Sequence, residues 1–306
     1  MAESPILFDR ALLRRRRRRA LTLAPSGFLL ERVAEDAADR LATVLRRFEV
    51  ALDLGTPGNA LRSALIASGK VGTVIAAGAL GDCGARVDST STLTVLCDEE
   101  ALPFRDASLD LITSGLSLQF VNDLPGTLVQ IRRALKPDGL FLGALIGGDT
   151  LGELRQAFAT AEAEIDNGVS PRVAPFADVR DLGSLLQRAG FALPVTDVDR
   201  FTVRYASPLA LMYDLRRMGA TNVLLERSRL PLKRAVLARM TENYGERFAD
   251  ADGRIRATFE IMWLSGWAPH ESQQQPLKPG SATTRLADAL GAQELSAGDK
   301  AGPKNG

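Results

Sequence analysis

A single histidine, two cysteines and the absence of any long apolar run mark this 306-residue chain, and each shortage closes off some chemistry. With His270 alone, neither a two-histidine metal site nor a two-histidine, one-carboxylate iron triad can be assembled within the chain. Cys83 and Cys97 are too few for a zinc or iron–sulfur centre, so no metal site is expected and both read as buried free thiols. No Gly-x-Ser-x-Gly elbow supplies a serine to work with His270, which argues against a Ser-His-Asp hydrolase. No run approaches the roughly 18 apolar residues of a membrane-spanning helix, and residues 1–20 carry no apolar core of signal-peptide type. A cytoplasmic location is the expectation.

Excess charge is missing as well. Lys and Arg number 38 against 37 Asp and Glu, a net charge of +1, so no global field points to nucleic acid and no nucleic-acid partner is expected. The local distribution is less even, because residues 14–19 are an unbroken arginine run preceded by Arg10. A solvated helix face is the simplest reading of that run, with peripheral contact to anionic lipid or an acidic partner surface as the alternative.

What the chain does have is an ordinary globular composition, 45% apolar and 25% charged, and ample length to bury a core. Residues 50–54 form an apolar run that ends in Asp53 and Gly55, meets the turn Thr56-Pro57-Gly58-Asn59, and passes into helical spacing over residues 60–68. That is strand, tight turn, helix, the junction at which open α/β folds bind ligands. Further short apolar strands are predicted at residues 71–76, 93–97, 109–113 and 140–145, the last behind a turn at residues 136–139. Helices are predicted at residues 28–48 and 122–135, while residues 77–92 show no clear helix. Thr150-x-x-Glu153 reads as a capping box opening a helix to about residue 164, followed by a helix over residues 178–189 ended by Gly190. An alternating strand (residues 195–205), two helical patterns (208–218 and 232–244) and a last long strand (255–267) complete the count.

The fold class expected is α/β, a doubly wound, mostly parallel seven-stranded sheet of Rossmann-like type. A basic segment (residues 1–26) would precede the main domain (27–272), which carries a helical insert at about residues 206–250; a linker and disordered tail (273–306) would follow. Several features then converge on the carboxyl edge of the sheet: the turn after Gly55, Asp98 beside Glu99, residues 114–119, and Gly147-Gly148-Asp149. Asp98 and Glu99 could accept hydrogen bonds from an amine or hydroxyl, or simply cap a loop. Asp149 and His270 are the candidates for acceptor chemistry, with helix capping and burial as their plainer explanations.

Three motifs in order, Leu52-Asp53-Leu54-Gly55, Cys97-Asp98-x-x-x-Leu102-Pro103-Phe104-x-x-x-Ser108-Leu109-Asp110-Leu111-Ile112-x-Ser114 and Leu135-Lys136-Pro137-Asp138-Gly139, resemble the type-11 class I S-adenosylmethionine-dependent methyltransferase domain. A narrower likeness covers most of the chain. Phe8-Asp9-Arg10-x-Leu12, Val121-Asn122-Asp123-Leu124-Pro125, Gly147-Gly148-Asp149-Thr150-Leu151 and Gly266-Trp267-x-x-His270-Glu271 resemble the family of the mitochondrial complex I assembly factor that acts on an arginine of a peripheral-arm subunit. The chain is also similar to the biotin-pathway malonyl carrier-protein methyltransferases. The resemblance implies S-adenosylmethionine as cofactor, held by Asp53, Gly55, Gly58, Asp98, Glu99 and Ser114. It implies a methyltransferase acting on a protein or small acceptor, or a complex I assembly factor, arginine hydroxylase-like or non-catalytic, whose partner is a respiratory-complex subunit. The chain departs from the cofactor pattern at Pro57, Asn59 and Ala77, where the methyltransferases carry two glycines and a ribose-binding acid.

Overall fold

The computed structural model describes residues 6–23, 26–79 and 92–274, with single positions at 284, 288 and 291. The chain divides into Met1–His270, which holds every strand and helix named below, and Glu271–Gly306, whose described start, residues 271–274, is turn and bend. Most of the segment without a clear helix, residues 80–91, lies outside the described residues, as does nearly all of the expected tail.

The apolar runs become strands because each is short, bounded by turn residues and rich in residues that pack on a pleated surface. They are β1 (Phe48–Leu54), β2 (Val71–Gly78), β3 (Thr92–Leu96), β4 (Leu109–Gly115), β5 (Leu135–Ile146), β6 (Ala192–Tyr205) and β7 (Ile255–Trp267). Their order across the sheet is β3-β2-β1-β4-β5-β7-β6. The first five are parallel, and β7 runs antiparallel between β5 and β6. Chain direction across the sheet reverses between β1 and β4, and this switch point opens a crevice at their carboxyl ends.

Adjacent residues on the central strands serve opposite faces. Ala51 and Leu111 join the core that contains α2 (Phe28–Thr43), α3 (Ala60–Ala67), α5 (Gly152–Asp166), α7 (Pro208–Arg217) and α8 (Arg234–Phe248). Leu52 and Ile112 join the other core, with α4 (Leu124–Ala134) and α6 (Val179–Arg188). A sheet covered on both faces follows from strands that are apolar on both sides. The edge strand β6 instead alternates half-buried and exposed positions, and Pro194 sits in its register shift, where a missing N–H costs no ladder bond. The N-terminal α1 (Arg10–Ala20) packs over the carboxyl edge.

Three local expectations are corrected. The helix over residues 28–48 stops at Thr43, because Phe48 is already paired with Val71 in the sheet. Residues 136–139 are not a turn ahead of β5. Leu135 already pairs with Leu109, and the extra residues are absorbed in a register shift with Asp138 at φ +60°. The capping box does not form either: the cap of α5 is Leu151, at φ +56°, with no side-chain cap bond. Thr150 Oγ1 instead accepts the Glu260 N–H (2.9 Å) and donates to the Glu260 carbonyl (3.2 Å), while Glu153 accepts the Thr258 N–H (3.1 Å). Both residues fasten α5 to β7. Thr150→Val should therefore lower unfolding free energy by about 1–3 kcal/mol in urea, the cost of leaving the Glu260 N–H unmet, since the Glu260 carbonyl keeps the Gly147 N–H (2.7 Å). Hydrogen exchange should accelerate at the Glu260 amide rather than at the start of α5.

Candidate functional site

The junction after β1 is built around a glycine and a buried ion pair. Gly55 has φ +72°, and a Cβ there would lie 2.5 Å from Ser117 Oγ and 2.8 Å from Glu99 Oε1, so only glycine fits. Asp53 is 1% exposed and Arg62, from α3, likewise 1%; they pair at 2.9 Å. Thr56 Oγ1 donates to Asp53 and accepts the Gly115 N–H (2.8 Å), and Arg62 also donates to the Gly58 carbonyl. Burial pushes the Asp53 carboxyl up to about 6, against the pull of the Arg62 guanidinium and the Thr56 hydroxyl.

These contacts redistribute the expected ligand set. Both Asp53 oxygens are engaged by Thr56 and Arg62, and Ser114 Oγ donates to the Leu54 carbonyl (2.7 Å), so these two side chains hold the turn. Gly58, at φ +70°, has open space where a Cβ would be and serves the bend. Gly55 and Glu99 line the cleft, Ser117, from the stretch 114–119 expected at this edge, stands beside Gly55, and Asp98 is held next to them by Arg10 and Arg14. Ala77 accepts the Gly55 N–H (2.6 Å) and presents no ribose-binding acid; the nearest downstream acid, Asp82, lies outside the described residues.

The N-terminal segment closes this cleft. Asn122 Oδ1 accepts the N–H groups of Leu7 (2.9 Å) and Phe8 (2.8 Å), and the Asp9 N–H donates to the Val223 carbonyl (2.8 Å). Phe8 meets Phe120 edge-to-face at 5.8 Å. Asp9 caps α1 through the Leu12 N–H (2.8 Å) and pairs with Arg227 (3.3 Å). Arg10 is thereby placed among Asp98 (2.5 Å), Glu99 and Glu100 (3.1 Å), and Arg14 adds a bond to Asp98 (2.6 Å). Although burial works the other way, the Glu100 N–H and the two guanidiniums hold the Asp98 carboxyl below its usual range. The arginine run is thus not a uniformly solvated face. Arg10, Arg14 and Arg17 point inward at helical spacing while Arg15, Arg18 and Arg19 are exposed. Around Gly55, Pro57, Arg10 and Glu99 only about 20 Å³ is left, little more than one water.

Beyond Pro57 the edge widens. A cavity of about 70 Å³ touches Arg17, Pro57 and Leu116, and shares Gln119, Phe120, Ile146 and Ala220 with a larger one of about 280 Å³. The larger cavity lies between the 3₁₀ turn Leu118–Phe120, α5, α7 and residues 219–228. Neither acceptor candidate reaches it. Asp149 is exposed on the β6 side, paired with Arg200 (3.0 Å). His270 is exposed at the opposite edge, because antiparallel β7 sets Trp267 beside Leu140 at the start of β5.

The donor set suits the cofactor that the motifs imply: a glycine socket admits close approach, and carboxylates with a serine can receive a cationic amino-acid nucleoside. Arg10 occupies those carboxylates, so a ligand must compete with its guanidinium for them.

Residues 52–143 match the family described as Methyltransferase domain. The chain is 39% identical over 288 residues to the arginine-hydroxylase NDUFAF5, mitochondrial, of Danio rerio, covering 92% of this chain and 89% of that one. It is 40% identical to the malonyl-[acyl-carrier protein] O-methyltransferase of Gallionella capsiferriformans, over 58% of each. Among solved structures, the BH2331 protein of Bacillus halodurans superposes with TM-score 0.54 at 17% identity, covering 77% of this chain and 98% of that one.

Replacing Arg62 by Met should cost about 3–5 kcal/mol in denaturant unfolding, because Asp53 is left as a buried unpaired charge, and Asp53→Asn in the same chain should recover most of it. The loss should shrink with acid. With Arg62 present the buried carboxyl already titrates at about 6, above its unfolded value of about 3.9, and without the guanidinium that holds it down it titrates higher still, so as pH falls the variant's folded state takes up its proton before the parent's does and regains stability first.

Proposed function

The chain belongs to the family of the arginine hydroxylase NDUFAF5 and has the methyltransferase fold, and on that premise we propose that it is an S-adenosylmethionine-dependent enzyme working at the carboxyl edge of its sheet. The observation that carries this reading is the socket at Gly55, closed to any side chain and faced by Glu99 and Ser117. The cofactor would supply a methyl group already activated on a sulfonium, so the chain needs little covalent machinery of its own. Glu99 and Asp98 would accept hydrogen bonds from its polar groups, Gly55 would admit its close approach, and α1 would exclude water. The wider cavity past Pro57 is the place for an acceptor.

One set of contacts favours a second reading. The motifs Phe8-Asp9-Arg10 and Val121-Asn122, which the cofactor core does not need, are the ones that hold α1 over the cleft. Together with Pro57 and Ala77 they fit an assembly factor, arginine hydroxylase-like or non-catalytic, that acts on a respiratory-complex subunit with the cleft kept shut.

Calorimetric titration of S-adenosylmethionine into the full chain and into Arg10→Ala separates the two. Releasing the carboxylates should tighten binding at least about tenfold, the worth of a charge-assisted hydrogen bond. No heat with either protein, and no thermal shift, would reject the cofactor-dependent enzyme in favour of the assembly factor.

A further inference from the structure

We propose that the cavity of about 280 Å³ between the 3₁₀ turn, α5 and α7 binds an amphipathic organic anion, an acyl or aryl acid whose apolar body fills the interior and whose carboxylate meets Arg16. The walls are apolar: Phe120, Leu154, Phe158, Phe176, Met212 and Leu215 are among them. Its volume is near the lower end for pockets that enclose a small organic ligand.

Charge selects the ligand class. No Asp or Glu occurs among the described lining residues, whereas Arg16, Arg172 and Arg227 all do. Two of these are neutralised from outside the cavity, Arg172 by Glu162 and Arg227 by Asp9. Arg16 has no carboxylate within ion-pair distance among the described residues, and its guanidinium donates to the Asn222 carbonyl. Burial, followed by repulsion from Arg227 and Arg19 and offset only in part by attraction to Asp9, lowers its pKa, as expected of a half-buried cation with no carboxylate in contact. Two further polar atoms in the same wall have no hydrogen-bond partner among the described residues. Thr221 Oγ1 can donate to a carboxylate, and Gln119 Oε1 can accept from a hydroxyl or amide on the ligand. Such buried unmet groups are uncommon in folded proteins, and a ligand explains them.

The same lining works against an arginine side chain. A guanidinium entering here would find three others and no acid, so a substrate arginine is disfavoured in this cavity on electrostatic grounds.

This assignment deepens the reading of the carboxyl edge as the working face, and its test needs no cofactor, so either can fail alone. Sodium decanoate, neutral decanamide and decylguanidinium would be titrated by calorimetry into the full chain, Arg16→Gln and Leu232→Trp, each variant first checked for a native melting transition. Decanoate should saturate a single site and bind at least about tenfold tighter than decanamide. Arg16→Gln should reduce decanoate to the decanamide level, and Leu232→Trp, which crowds the wall, should weaken both. Decanoate that binds no tighter than decanamide, tighter binding of decylguanidinium, an unchanged Arg16→Gln, or no binding at all would overturn the assignment.

Discussion

The carboxyl edge of this protein depends on one buried ion pair. Asp53 ends the central strand β1 and Arg62 stands one turn into α3, and with both nearly without solvent neither charge can persist unless the other is present. Their contact fixes the angle at which strand becomes helix. It also draws in Thr56 and the Gly58 carbonyl, and Thr56 in turn holds the Gly115 N–H at the end of β4. Two strands and a helix are thereby locked around Gly55. The carboxylate that opens the motif acts on the loop rather than on a ligand, and the glycine behind it provides the open surface.

A second constraint lies on the first. Residues 7–9 are bound by Asn122 and by backbone bonds to residues 223–225, and this tether aims Arg10 at Asp98, Glu99 and Glu100. Three acids around one cleft would repel one another without a cation, so the helix that covers the cleft also stabilises its charge. Any cationic ligand entering the cleft must compete with a guanidinium already held in place by the chain.

The sheet was legible in the sequence because short apolar runs between Gly, Pro and Asp turns have few other solutions, and all seven strands fall where those runs lie. Gly55 was legible as the pivot of strand, turn and helix. Arg62 was not, since an arginine on a short amphipathic helix reads as solvent-facing, and nothing local says that its head turns inward. Ser117 fell within the stretch 114–119 expected at the carboxyl edge, but nothing in the sequence set it apart from its neighbours. Arg10, Arg14 and Arg17 did leave a signal: they recur at helical spacing with Leu13 and Ala20 on the same stripe, which an uninterrupted run of arginines conceals. His270 was misplaced for a topological reason, because periodicity locates a strand without giving its direction, and antiparallel β7 carries its end to the far edge. Thr150 and Glu153 matched a capping box by spacing alone, and tertiary bonds to β7 took precedence over the local rule.

The two spaces along the edge carry opposite charge. Acids gather around Gly55, where Arg10 answers them, while arginines gather around the larger cavity, where Arg16 has no carboxylate within ion-pair distance among the described residues. Between them lies the narrow passage at Pro57, Leu116 and Phe120, lined largely by apolar groups. Field strength falls slowly in such low-dielectric surroundings, so each space would sort its ligands by sign before shape. On the readings proposed above, the cleft would favour a cation and the cavity an anion, and the small cavity between them shares lining residues with both. That pairing requires no histidine, no metal ligand set and no nucleophilic serine from the chain, which accounts for how a protein so poor in those groups can still present a built site.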